Sequence, residues 1–146
     1  MMRQRVRELD KRMLAFMNAY GVHLLRLSLA TVFIWFGALK VIGKSPVHDL
    51  VARTVYWVDP DVFVPILGAW EIVVGVGLLF AAALRVTLFL FWMQMAGTFL
   101  VLVVRPDIAF QHGNFLLLTT EGEFVIKNLV LIAAGLVVGS TVRRKK

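Results

Sequence analysis

From Val62 to Val104 the chain runs 43 residues in which Pro65, Glu71, Arg85 and Gln94 are the only proline, charged or amide-bearing residues. As one helix this stretch would measure about 64 Å, about twice the hydrocarbon thickness of a bilayer. It must therefore fold back on itself. Arg85 is the residue within it that belongs at a surface, so the expected spans are 62–84 and 86–104, joined by a very tight turn. Two further stretches reach the length of a span. One is 22–42, with Arg26 and Lys40 near its ends. The other is 122–140, where Thr120 and Glu123 form a T-x-x-E capping box that starts the helix before its apolar part at Phe124.

These spans define an all-α membrane protein, a four-transmembrane-helix bundle. Residues 22–140 form its membrane domain, 1–21 precede it and 141–146 follow it. Composition agrees: 60% of residues are hydrophobic and 17% charged, against about half and about a quarter in soluble domains. That composition argues against a soluble enzyme and against disorder. The net charge is +7, and nine of the 16 Lys and Arg lie at the ends: Arg3, Arg5, Arg7, Lys11, Arg12, Arg143, Arg144, Lys145 and Lys146. With four spans both ends share one side, and Arg85 joins them there. The opposite loops hold Asp49, Asp59, Asp61, Asp107, Glu121 and Glu123 against Lys44, Arg53 and Arg105. The positive-inside rule then places both termini in the cytoplasm, in the inner (plasma) membrane of a bacterium if the chain is bacterial. The isoelectric point near 10.4 fits attraction to anionic lipid, and nucleic acid is not expected as a partner. Segment 22–42 is too long for a cleavable signal, and no A-x-A-like site follows it.

Two shorter helices are expected. In 1–21, Met2, Val6, Leu9, Met13, Phe16 and Tyr20 recur at intervals of three and four, the pattern of an amphipathic helix. It would lie on the cytoplasmic membrane surface or dock under the bundle. In the first outer loop, 43–61, Ser45 is placed to cap a short helix with Pro46 at its first position, ended by Asp59-Pro60-Asp61.

The chain has no Cys, which excludes thiol–disulfide exchange, iron–sulfur ligation and covalent haem attachment. No Walker A, dinucleotide fingerprint or His-Glu-x-x-His motif occurs, and no metal site is expected. Glu71 is the most informative residue. It falls about 13 Å into the second span, where an ionised carboxylate facing lipid is costly, so it faces the bundle, is paired, or is protonated. Lys40 and Lys127 lie near the outer ends of the first and fourth spans, and lysine stems reach inward. The cluster reads either as a proton- or ligand-linked site or as a buried ion pair that fixes helix packing. Gln94 is expected to hydrogen-bond between helices, and Arg26 to snorkel to the lipid phosphates. Trp70 adjoins Glu71 and Trp35 lies near Lys40. An aromatic wall beside one proton-transfer group suits a quinone headgroup. The candidate site is therefore Glu71 as the proton-transfer group, with Trp35, Lys40, Trp70 and Lys127 binding ligand and His112 as a lid residue. Ala30 with Gly37, Gly68 with Gly75, and Gly135 with Gly139 form small-residue stripes that let helices approach closely.

The ordered residues also resemble a family. Leu25-Arg26-Leu27-Ser28, Trp35-Phe36-Gly37-Ala38-Leu39-Lys40, Ser45-Pro46, Gly68-x-x-Glu71-x-x-x-Gly75, Arg85, and Gly122 through Lys127 follow one another as in DoxX-like membrane proteins. Within them the chain resembles the YkgB-like branch, which includes a reactive-chlorine-resistance inner membrane protein. The resemblance spans about Leu24–Gly139. It implies a four-helix bacterial inner-membrane protein with a redox or oxidative-stress role. DoxD-type relatives are associated with thiosulfate:quinone oxidoreduction, which would make quinone the cofactor and a soluble redox protein or a second copy the partner. The absence of Cys departs from sulfur-handling relatives. A small proton- or anion-linked transporter and a non-catalytic scaffold for a soluble enzyme remain as alternative readings, and catalysis itself stays open.

Overall fold

The computed structural model describes residues Met2–Val142; the cations Arg143, Arg144, Lys145 and Lys146 of the expected basic tail lie outside the described residues. Among the described residues the chain is all-helical and forms no strand. Four helices are long and apolar enough to cross a membrane: α1 (Met2–Val41), α3 (Pro60–Phe80), α4 (Leu84–Val104) and α6 (Thr120–Ser140). Short α2 (His48–Thr54) links α1 to α3. Short α5 (Pro106–Ala109) and a 3-10 turn (Gln111–Gly113) link α4 to α6.

The packing follows from the small residues. A Cβ at Gly37 would sit 2.5 Å from the Gly68 carbonyl oxygen, and one at Gly75 would sit 2.9 Å from the Ala30 carbonyl oxygen. Helices α1 and α3 therefore run antiparallel with their backbones in contact, as such stripes permit. Helix α3 also meets α4, α4 meets α6, and α6 returns to α1. Leu29, Phe33, Val74, Leu78, Phe91 and Val138 fill the space between them. The rings of Phe33 and Phe91 lie 5.3 Å apart, and Gly135 leaves room for the Phe91 ring.

Five local expectations are corrected. The apolar stretch folds back at Ala81–Ala83, and Arg85 is already the second residue of α4. Ala81 and Ala83 both adopt left-handed backbone, with φ of 51° and 41°. Ala82 N donates to Gly77 O at 3.1 Å and Thr87 Oγ1 to Ala82 O at 3.0 Å, closing both helix ends. No separate helix covers the expected N-terminal segment: residues 2–21 are the first half of one unbroken 40-residue helix. No break is needed, because nothing in 1–41 lacks helical propensity strongly enough to stop it. Ser45 does not cap α2: Ser45 Oγ accepts from Val47 N at 3.4 Å in a preceding turn, and α2 begins at His48 and ends at Thr54. Asp59-Pro60-Asp61 starts α3 instead, Asp59 Oδ1 accepting from Asp61 N with Pro60 in the first turn. Finally, Thr119 caps α6 in place of Thr120; its hydroxyl accepts from Gly122 N at 3.0 Å.

Candidate functional site

Three helices converge on one carboxylate. Lys40 Nζ from α1 donates to Glu71 Oε1 at 3.0 Å and Oε2 at 2.7 Å. Gln94 Nε2 from α4 donates to Glu71 Oε1 at 2.8 Å. Lys40 and Glu71 are only 5% and 8% exposed, so the pair is held away from the surrounding medium. Charge-assisted bonds of this kind are the stronger class, and a buried pair stays put only when its remaining valences are met. Every fully buried side-chain nitrogen or oxygen among the described residues has at least one partner.

The cluster forms one wall of a cavity of about 540 Å³, within the size range of small-molecule sites. Phe33 and Phe36 of α1, Leu50 of α2, Trp70 of α3 and Val125 of α6 make it mainly apolar. Thr98 and Asn128 add polar atoms to its lining. Thr98 Oγ1 donates to Gln94 O and Asn128 Nδ2 to Phe124 O, so both are anchored on their own helices. Trp70 Nε1 donates to Leu90 O at 3.2 Å, which ties this ring across to α4. Such a cavity can hold an apolar, ring-bearing molecule whose polar end meets the Lys40–Glu71–Gln94 cluster.

Of the residues expected at the site, Glu71, Lys40 and Trp70 are brought together. Trp35, Lys127 and His112 are not among the residues lining the cavity. Trp35 is 65% exposed, because it lies on the side of α1 turned from α3. Lys127 projects outward and pairs with Glu123 Oε2 at 3.3 Å, one turn earlier on α6. His112 sits in the exposed 3-10 turn with a left-handed φ of 52°. Gln94 is an interhelical hydrogen bond as its depth suggested, but its partner is the central carboxylate. Asn128 was not singled out from the sequence; its signal was its place beside Lys127, about 100° further round α6 and so facing inward.

At the loop end of α4, Arg105 makes a second polar joint. Its Nε and Nη2 donate to Asp107 Oδ1 and Oδ2 at 3.0 and 2.7 Å, and its Nη1 donates to Arg53 O at 2.9 Å. Hydrogen bonds from Arg105 hold the Asp107 carboxyl below its usual range. Asp107 in turn raises the Arg105 guanidinium above its own. No group of His, Asp and Glu able to hold a metal ion occurs among the described residues. No protein-family model, curated protein or solved structure matches the chain.

Proposed function

We propose that this chain is a DoxX-like integral membrane protein of the bacterial inner membrane, a four-helix bundle with both termini in the cytoplasm, which binds a quinone headgroup in a redox or oxidative-stress role. The observation that carries this reading is the buried Lys40–Glu71–Gln94 cluster in the wall of an apolar cavity of about 540 Å³. A quinone needs a flat apolar slot for its ring and hydrogen-bonding groups for its two oxygens. Phe33, Phe36 and Trp70 border the slot. Lys40 spends two of its three N–H groups on Glu71, which leaves one as a donor. Gln94 spends its Nε2 on Glu71, which leaves its amide oxygen as an acceptor for a hydroxyl of the reduced form. Glu71 is the group able to exchange a proton with a ring oxygen, directly or through one water. The order of Arg26, Gly37, Lys40, Glu71, Arg85 and Lys127 supports the family assignment, and the basic ends support the orientation.

The test is a titration of the detergent-purified full chain with a short-tailed quinone, followed by tryptophan fluorescence; Trp57 and Trp70 both border the cavity. Saturable quenching is expected. It should weaken about tenfold or more in Gln94→Leu and Glu71→Gln, the cost of losing a hydrogen bond to a charged group. Absence of saturable quenching in the unmodified chain, or identical affinity in both variants, overturns the quinone site.

A further inference from the structure

The first half of α1 carries an apolar stripe that nothing covers. Every residue from Gln4 to Gly21 is exposed. Val6, Leu9, Met13, Phe16 and Tyr20 are each between 55% and 63% exposed. Their spacing is three, four, three and four: a heptad seam, with Val6, Met13 and Tyr20 at the first core position and Leu9 and Phe16 at the second. We propose that this stripe is the seam of a parallel two-stranded coiled coil between two copies of this chain.

Charge argues for that occupant and that direction. In a parallel pair, the residue before a first core position meets the residue after the next second core position of the other strand, five residues on. Of the two such pairs in the seam, Arg5 meets Asp10, an opposite-charge contact formed once on each side, and Arg12 meets Met17, where the arginine stem lies on an apolar side chain. An antiparallel pair in the same core register sets Asp10 against Asp10 and Arg12 against Arg12. Two copies inserted the same way in one membrane are parallel in any case.

The rest of α1 leaves room for the partner. At about 100° per residue, the stripe continues upward through Leu24, Leu27 and Thr31, all exposed. It lies about 120° around the helix from Ala30, Phe33, Gly37 and Lys40, which face the other helices. A second α1 can therefore run beside the first without displacing α3. The unbroken helix through Gly21 also sets this seam apart from a surface-lying amphipathic helix. The latter needs a break where α1 leaves the membrane, and no non-helical residue interrupts α1 there. A seam of under three heptads is marginal on its own, but a helix continued from a long apolar span has already passed the nucleation step.

The test uses the natural absence of Cys. Single cysteines are placed by Leu9→Cys, Met13→Cys and Phe16→Cys on the seam, and by Lys11→Cys and Asn18→Cys on the far side. The full chain is oxidised in native membranes. Disulfide-linked dimer is expected several-fold more at 9, 13 and 16 than at 11 and 18. Asp10→Arg should reduce the yield at 13, and adding Arg5→Asp should restore it. Equal yields at all five positions, or no dimer, overturns the proposal. So does a fluorophore on Met13→Cys that shifts to an apolar signal with anionic vesicles while the protein remains monomeric, an outcome that assigns the stripe to lipid.

Discussion

The stem of Lys40 lies on the bare backbone of Gly68, and reciprocally the stem of Glu71 lies on Gly37. A Cβ at Gly68 would sit 2.7 Å from the Lys40 Cβ, and one at Gly37 would sit 3.0 Å from the Glu71 Cβ. Each glycine thus makes room for the charged residue that belongs to the opposite helix. Because α1 and α3 are antiparallel, the two side chains run towards each other across the glycine contact and meet in the ion pair. Close helix approach and the buried charge cluster are one arrangement.

A methyl group at either glycine should therefore be felt twice, in packing and in the ion pair. Gly37→Ala and Gly68→Ala should each cost about 1–3 kcal/mol, the usual range for overpacking a fixed interior. Gly97 is the control: a Cβ there meets nothing within 4 Å. Gly97→Ala should gain up to about 1 kcal/mol from helix propensity. Unfolding of the purified protein in mixed detergent measures all three, and equal effects at 37, 68 and 97 would refute the close-approach account.

The ion pair should behave as a unit. Lys40→Met leaves Glu71 without its cation, and Glu71→Leu leaves Lys40 buried without its anion. Each single change should cost about 3–5 kcal/mol, whereas the double change should cost clearly less than their sum. Glu71→Gln keeps an acceptor for Lys40 and should retain more stability than Glu71→Leu. A double-mutant cycle from unfolding midpoints reads this directly. Additive losses would mean that the two residues act independently.

Much of this was legible in the residues, and the failures share a cause. The four helices long and apolar enough to cross a membrane follow from apolar length, and the 43-residue stretch accounts for two of them. The inward direction of Glu71 follows from the cost of a carboxylate in lipid. Pairing partners do not follow so simply. Lys40 and Lys127 sit at similar depth, and only rotation about the helix axis separates a lysine that reaches Glu71 from one that faces outward beside Glu123. Trp35 fails for the same reason: depth is read from sequence position, whereas facing depends on which helices become neighbours. The fold-back was misplaced because Arg85 advertises a surface, while Ala81 and Ala83 give no sign that they will adopt left-handed backbone. Residues 2–21 belong to α1 and form no separate helix, because amphipathic periodicity marks a face and says nothing about where a helix ends.

The Arg105–Asp107 joint gives a pH dependence with a definite sign. The fork from Arg105 lowers the Asp107 pKa in the folded state. A carboxyl lowered in this way contributes stability that is fully present above its unfolded value of about 3.9. That contribution disappears as pH falls through the lower folded value. Arg105 stays charged throughout. Between about pH 8 and about pH 5 the loop from Arg105 to Ala109 should therefore show constant amide protection, after correction for intrinsic exchange. Below about pH 4 protection should fall as Asp107 takes a proton and the bidentate contact opens. Both side chains are solvent-accessible, so the change should stay local and leave α4 and α6 protected. Asp107→Asn keeps one acceptor oxygen and loses the fork; its loop should already be less protected at pH 7 and should show no further drop below pH 4. Arg105→Lys should likewise loosen the loop, because a lysine offers no guanidinium to reach Arg53 O and both carboxylate oxygens together. Hydrogen exchange across that pH range decides the matter: a loss of protection that begins near neutral pH, or one that persists unchanged in Asp107→Asn, would remove Asp107 as its source.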